Sequence, residues 1–350
     1  MKLCPDHPCV AASSLAKIAI SLLGITLAGC DSSSNKTLLN VSYDPTRELW
    51  QDLNREFTNT HGEANKTESG EPEVVTVETT HGGSASQARS VIEGLPADVV
   101  TLAIEPDTEA IRKKGLIDAG WKERLPNHSL PYVSTIVFVV RKGNPKQIKD
   151  WDDLIQGDVQ IITPNPTTSG NGKLSFLAAW GYIIKKGGSE EDAKQFVSKL
   201  YNSKPTPILD TGARASTTTF AQKKIGDVHL TWENEAFLEV ADSKGELEIV
   251  YPSNSILAEP YVAVVDANAK KRGTEKLAEE YLTFLYTDNA QRIIGKHHYR
   301  PTNPEIAEEF ANTFTPIQLY PITDIVKDWD EANTKFFADG GIFTQIYENK

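Results

Sequence analysis

Leu38-Leu39-Asn40-Val41-Ser42-Tyr43 reads as a strand, and Arg47 to Phe57 follows as an amphipathic helix with Leu49, Trp50, Leu53 and Phe57 on one face. The alternation continues. Val74-Val75-Thr76-Val77-Glu78-Thr79 is a second strand, and Ser84 to Leu95 a second helix with Ala88, Val91, Ile92 and Leu95 at helical spacing. Asp98-Val99-Val100-Thr101-Leu102-Ala103 is a third strand, short and apolar enough to be buried in a parallel sheet. Strand-helix-strand-helix-strand predicts an open α/β sheet whose ligands sit beyond the carboxyl ends of its strands.

Outside this block the most strand-like runs are Thr135-Ile136-Val137-Phe138-Val139-Val140-Arg141 and Glu259-Pro260-Tyr261-Val262-Ala263-Val264-Val265. They bracket a middle block with its own strands, Val159 to Thr163 and Asp227 to Thr231, and its own helices, Lys173 to Lys185 and Asp192 to Tyr201. A long strand leaving one lobe and another returning is how a hinge is written in sequence, and a hinge permits closure around a ligand. A chain of 350 residues is also too long for one simple core. The expected architecture is α/β in two lobes, each an open mixed sheet flanked by helices, with the ligand in the cleft. Residues 38–137 and 256–350 are assigned to the first lobe and 138–255 to the second. Glu63 to Pro72, rich in Glu, Asn, Gly and Ser, reads as a solvated loop.

At the N-terminus Lys17 precedes the apolar run Ile18 to Thr26, which reaches Leu27-Ala28-Gly29-Cys30. This is similar to a bacterial lipoprotein signal over 1–29, and the run covers about half of the ~20 residues a membrane helix needs. The resemblance implies cleavage before Cys30 and acylation of its thiol. Residues 30–37 are small and polar and read as a flexible tether. After cleavage Cys30 would be the sole cysteine, which leaves no disulfide and no thiolate metal site.

Composition is that of an ordinary soluble protein: 39% hydrophobic, 24% charged, mean hydropathy −0.37. A formal charge of −12 argues against nucleic acid, whose binding needs a basic face. Any anion site on such a chain must be local and built from aimed donors, because screening acts beyond ~8–10 Å. Catalysis has little to work with. His297-His298 lacks a paired ligand spacing, and neither H-E-x-x-H nor G-x-S-x-G occurs. No enzyme activity, cofactor or metal is expected.

Four polar turns of small residues run into predicted helix starts: Asp44-Pro45-Thr46, Gly82-Gly83-Ser84, Ser169-Gly170-Asn171 and Gly212-Ala213-Arg214. Helix starts carry unpaired N–H groups and partial positive charge, so several converging on one point would cage an oxyanion. Each also has a plainer explanation. Ser84-Ala85-Ser86-Gln87 fits a capping box, and the loop before Lys173 fails the P-loop pattern at Thr167 and Leu174. Trp232, flanked by Glu233 and Glu235, offers an indole donor and no acceptor. Asp44 is expected to cap its own turn and face its carboxylate away from any ligand.

Taken together, Tyr43-Asp44-Pro45-Thr46-Arg47-Glu48-Leu49, His81-Gly82-Gly83-Ser84, Ile162-Thr163-Pro164-Asn165-Pro166, Leu177-Ala178-Ala179-Trp180-Gly181-Tyr182, Gly212-Ala213-Arg214, Thr231-Trp232-Glu233-Asn234-Glu235 and Ser255-Ile256-Leu257-Ala258-Glu259-Pro260 resemble the periplasmic sulfate-binding proteins of ABC importers, nearly unbroken from Leu38 to Ile346. The resemblance implies a type II periplasmic binding protein fold and a dehydrated sulfate held by neutral donors. Matching positions supply the N–H of Asp44, the Ser84 hydroxyl, the hydroxyl and N–H of Ser169, the N–H groups of Gly170, Asn171 and Ala213, and the Trp232 indole. His81 and Arg214 match positions that brace the binding loops. Asn171 stands where glycine is common in the family, but only its N–H is needed. Such a site rejects phosphate, which retains a proton that donors alone cannot accept, at a cost of ~1–3 kcal/mol. The resemblance also implies an inner-membrane permease as partner, a monomer, and a membrane link only through the lipid. Thiosulfate or another tetrahedral oxyanion is the alternative ligand, and an oxyanion-ester hydrolase the alternative class.

Overall fold

The computed structural model describes residues 36–348 except 67–69 and 71. The expected signal, Cys30 and most of the expected tether lie outside those residues. Lys36 and Thr37, assigned to the tether, are instead the start of a strand. β1 (Lys36–Tyr43) pairs Lys36 with Val75 and Thr37 with Thr76.

Among the described residues the long strand paths form two sheets. In the smaller one β1 lies between and parallel to β2 (Val75–Gly82) and β3 (Val99–Thr101), with β10 (Val262–Val264) antiparallel at the β3 edge. Side-chain alternation puts Leu38 and Val99 against Trp50, Leu53 and Phe57 of α1 (Arg47–Ala64). Val41 and Val100 face the opposite way, against Ala88 and Val91 of α2 (Ser84–Ile92) and Ile111 of α3 (Glu105–Lys113). Both faces are covered, as a parallel sheet requires. The α1 face is completed by α9 (Asp266–Arg272), α10 (Glu275–Phe284) and α11 (Asp288–Lys296).

After a single turn, α4 (Pro126–Ser129), the chain enters β4 (Tyr132–Arg141), the central strand of the larger sheet. That sheet runs β12-β9-β4-β7-β5-β6, with β5 (Ile161–Pro164), β6 (Ile208–Asp210), β7 (Val228–Trp232), β9 (Asn254–Ala258) and β12 (Gln318–Tyr320). β8 (Leu247–Val250) and β11 (Arg300–Pro301) also pair with β4. Ile136, Phe138 and Val140 pack towards α5 (Gly170–Lys185) and α6 (Glu190–Tyr201), whereas Val137 and Val139 pack towards α8 (Glu233–Asp242). The fold is thus α/β with two lobes, each a mixed sheet flanked by helices.

Three expectations need correcting. Glu259 to Val265, read as one strand, is a strand only over Val262–Val264, and 259–261 is a crossover: β9 ends in the large sheet at Ala258, and β10 begins in the small sheet at Val262. Pro260 between them has no N–H to give to a ladder. The C-terminal stretch, assigned to the first lobe, joins the larger sheet from Gln318 onward. β12 pairs with β9, Tyr320 donates to the Ala178 carbonyl at 2.8 Å, and Phe336 and Phe343 pack on Phe176 of α5. Gly181 makes this possible, because a Cβ there would strike the Tyr320 ring. The loop expected over 63–72 is shortened, since Glu63 and Ala64 still belong to α1.

Candidate functional site

The three parallel strands of the small sheet end at Tyr43, Gly82 and Thr101, and the segments that follow them face those leaving β5, β6 and β7. Between them is a cavity lined by Tyr43, Asp44, Pro45, Gly82, Gly83, Ser84 and Ala103 on one side and Ser169, Gly170, Asn171, Gly212, Ala213 and Trp232 on the other. All seven residues expected to hold a ligand line it. Its volume, about 20 Å³ for the centre of a water-sized sphere, is little more than the ~10–15 Å³ one water needs. Only a small ligand fits.

On the first side, a 3₁₀ turn over Asp44–Thr46 leads into α1. The Tyr43 carbonyl accepts the Thr46 hydroxyl at 2.7 Å and lies 3.3 Å from His81 Nδ1. That carbonyl shares a peptide unit with the Asp44 N–H, so polarising one end makes the other a better donor. His81 itself does not line the cavity. Burial holds its imidazole pKa below the usual histidine value, with Arg47 adding to the effect, which favours the neutral form. The Asp44 carboxylate does not cap its own turn as expected; it accepts from Arg47 Nη2 at 2.7 Å.

Ser84 also departs from expectation. The capping box is absent: Gly83 is the N-cap without a side-chain bond, and Gln87 reaches the Ser42 carbonyl and the Thr80 hydroxyl. The Ser84 hydroxyl accepts the Ala103 N–H at 3.0 Å and donates to buried Asp107 at 2.5 Å. Burial pushes the Asp107 carboxyl up, against the pull of Ser84 and Lys173. A protonated Asp107 would free the Ser84 proton for a ligand.

On the second side α5 begins beneath the cavity. Gly170 and Asn171 are its first two residues, whose N–H groups have no partner within the helix. The Ser169 N–H, expected at the ligand, is spent on the Asn165 carbonyl at 3.0 Å, which leaves its hydroxyl. Gly170 lets the lobes approach, since a Cβ there would lie 3.1 Å from Ala103 Cβ. At Gly172 a Cβ would lie 2.6 Å from the Asn165 and Pro164 carbonyl oxygens. Asn171, which stands where glycine is common, sits in the helix, and its Nδ2 donates to the Leu230 carbonyl at 3.4 Å. Ala213 opens the short helix α7 (Ala213–Thr217). Trp232 is 1% exposed and its ring lies 5.6 Å from Tyr43, while among the described residues its indole N–H meets no acceptor.

Charge is arranged around this cavity rather than in it. Arg214 bridges Glu48 of α1 at 2.8 Å and Glu235 of α8 at 2.9 Å, so one guanidinium ties the two lobes. Three carboxylates of α8, Glu233, Glu235 and Glu239, are each at most 3% exposed. Glu233 pairs with Arg300 at 2.7 Å, and Glu239 meets His229 at 2.8 Å and the Thr217 hydroxyl at 2.9 Å. Burial pushes Glu235 up to about 8 despite the guanidinium beside it. Sequence reading missed Glu48 and these carboxylates, because their partners are far away in the chain. It also missed Tyr43 and Ala103 as residues that line the cavity. Among the described residues no group of His, Cys, Asp and Glu is placed to hold a metal.

Two α/β lobes facing each other across a small cavity lined by backbone N–H groups and hydroxyls define an extracytoplasmic solute-binding protein of type II. The chain belongs to the bacterial extracellular solute-binding proteins, the family that matches residues 38–300. It is 49% identical to the sulfate-binding protein of Escherichia coli, over 88% of this chain and 92% of that one. It is 47% identical to the thiosulfate-binding protein of Pseudomonas aeruginosa, over 93% and 96%. The solved structure of the sulfate-binding protein SubI from Mycobacterium tuberculosis superimposes with a TM-score of 0.75 at 31% identity, covering 87% of this chain and all of that one. A ferric binding protein from Campylobacter jejuni, at 16% identity and a TM-score of 0.59 over 88% and 99%, shares the fold.

Proposed function

We propose that this protein captures sulfate between its lobes and delivers it to the permease of an ABC importer, without chemistry on the anion. The observation that carries the proposal is the convergence of Asp44, Ser84, Ser169, Gly170, Asn171, Ala213 and Trp232, from five separate segments, on one small cavity. The donors are the N–H groups of Asp44, Gly170, Asn171 and Ala213, the hydroxyls of Ser84 and Ser169, and the Trp232 indole. Cations stay outside: Arg47 and Arg214 are each committed to carboxylates, so a dianion would be dispersed over dipoles. His81 and Arg214 brace the loops on either side.

Thiosulfate is the second reading, favoured by the 47% identical relative named for it. Its outer sulfur is larger than oxygen and a poorer acceptor, so a small cavity of hydrogen-bond donors favours sulfate. The first lobe comprises 36–131 and the chain from 262 to the end of α12 (Pro304–Glu309), and the second comprises 132–261 and 310–348. The protein works in the periplasm as a monomer, anchored by acylated Cys30. Calorimetric titration with sulfate, thiosulfate, phosphate and molybdate tests the assignment. Sulfate is expected to bind most tightly, and tighter binding of phosphate would overturn it.

A further inference from the structure

Arg47 stands in the first turn of α1, where the helix dipole disfavours a cation. Nothing in the packing demands it, since its side chain is 45% exposed. Its guanidinium instead holds the Asp44 carboxylate at 2.7 Å and reaches towards the His81 carbonyl at 3.4 Å. Asp44 is the one cavity-lining residue with a carboxylate. Aspartate side chains readily turn back onto nearby backbone N–H groups. Around this cavity those N–H groups are the same ones a bound anion would use.

We propose that Arg47 is a positioning residue for specificity: it pins the Asp44 carboxylate outside the cage, and so keeps an internal anion from competing with the ligand. The inference rests on the anion-binding reading above and adds a selectivity rule to it. Freed from Arg47, the carboxylate takes N–H donors from sulfate and repels its charge. It also gives the site the acceptor it otherwise lacks. A proton-bearing anion such as hydrogen phosphate is then rejected less strongly.

The test is calorimetry on Arg47→Gln, Arg47→Lys and the Asp44→Asn/Arg47→Gln double variant, each titrated with sulfate, thiosulfate and phosphate. Arg47→Gln is expected to weaken binding of the preferred dianion about tenfold, within the ~5–150-fold span of couplings between linked groups. The ratio of that affinity to phosphate affinity should narrow. Arg47→Lys, which keeps a cation for Asp44, should recover part of the loss. The double variant should recover most of it, because an amide carries no charge to intrude. Equal affinities for wild type and Arg47→Gln would overturn the proposal. So would a double variant no better than Arg47→Gln, which would mean that Arg47 acts by its own charge. If the wild type prefers thiosulfate or phosphate to sulfate, the ligand assignment fails, while the comparison among variants still reads the role of Arg47.

Discussion

The two walls of the cavity solve the same problem by different means. The second-lobe wall is made of Ser169, Gly170, Asn171, Ala213 and Trp232, which offer N–H and O–H groups and no charge. The first-lobe wall carries Asp44 and leans on Asp107 through Ser84, so two carboxylates stand close to the place proposed above for the anion. Each is restrained: Arg47 holds Asp44, and burial favours the neutral form of Asp107. One wall is therefore a cradle by composition, the other only by restraint. Changes that add charge to the second wall should hurt most, and changes among the outlying ion pairs least.

The largest effect is expected from Ser169→Asp. The residue is 7% exposed, beside the first turn of α5, and a carboxylate there would face the dianion with little solvent to screen it. Like charges brought together in an interface cost several kcal/mol, so sulfate affinity should fall at least about a thousandfold. Calorimetry reads this directly, and retained tight binding would remove Ser169 from the site. Gly172→Ala acts on the same wall through the backbone. The added Cβ would meet carbonyl atoms of Pro164 and Asn165, which cannot swing aside as a side chain can. A loss of ~1–3 kcal/mol in unfolding free energy is expected, read by urea denaturation, together with weaker binding as Gly170 and Asn171 shift. An unchanged midpoint would mean that the loop yields freely.

What could be read in advance followed from periodicity. Leu49, Trp50, Leu53 and Phe57 announce α1, and the apolar run of β4 marks a strand, whose residues the fold divides between two cores. The site was legible as segments because each turn sits at a strand end, where an open α/β sheet gathers its ligand groups. Some misreadings come from a long-range partner stronger than a local one, others from a local partner that the pattern did not show. Ser84 and Gln87 have a local capping pattern, yet Asp107, Ala103 and Ser42 claim their side chains. Ser169 was credited with a free N–H that Asn165, four residues back, already holds. Glu233, Glu235 and Glu239 show no partner beside them in the sequence, and Arg300, Arg214 and His229 meet them only in the fold.

The buried carboxylates behind the second wall give the next prediction. Glu235 loses its proton near 4.5 in the unfolded chain but only near 8 when folded, burial being the main cause. Between those values the folded protein binds more protons than the unfolded one. The contribution of Glu235 to stability must then fall as pH rises across the window, with a slope of up to ~1.4 kcal/mol per pH unit. Glu235→Gln removes that slope. Urea unfolding at a series of pH values should show the variant gaining on the wild type from pH 5 to pH 8. A constant difference would show that Glu235 is ionised in both states.

The smallest effect belongs to the tie between the walls. Glu48 of the first lobe and Arg214 of the second meet at 2.8 Å, with side chains 42% and 35% exposed. Exposed pairs of this kind contribute ~0.2–1 kcal/mol. Since the contact crosses the cleft, its worth should enter the equilibrium between open and closed lobes rather than the stability of either lobe. Glu48→Gln should therefore weaken sulfate binding only about two- to fivefold, and leave the unfolding midpoint nearly unchanged. Because salt screens an exposed pair, the deficit should shrink when calorimetry is repeated at high ionic strength with an inert monovalent salt. A larger loss that persists in salt would mean that Glu48 acts on the cage itself, through Arg214 and the loop that carries Ala213. The second wall would then depend on a restraint from outside, as the first does.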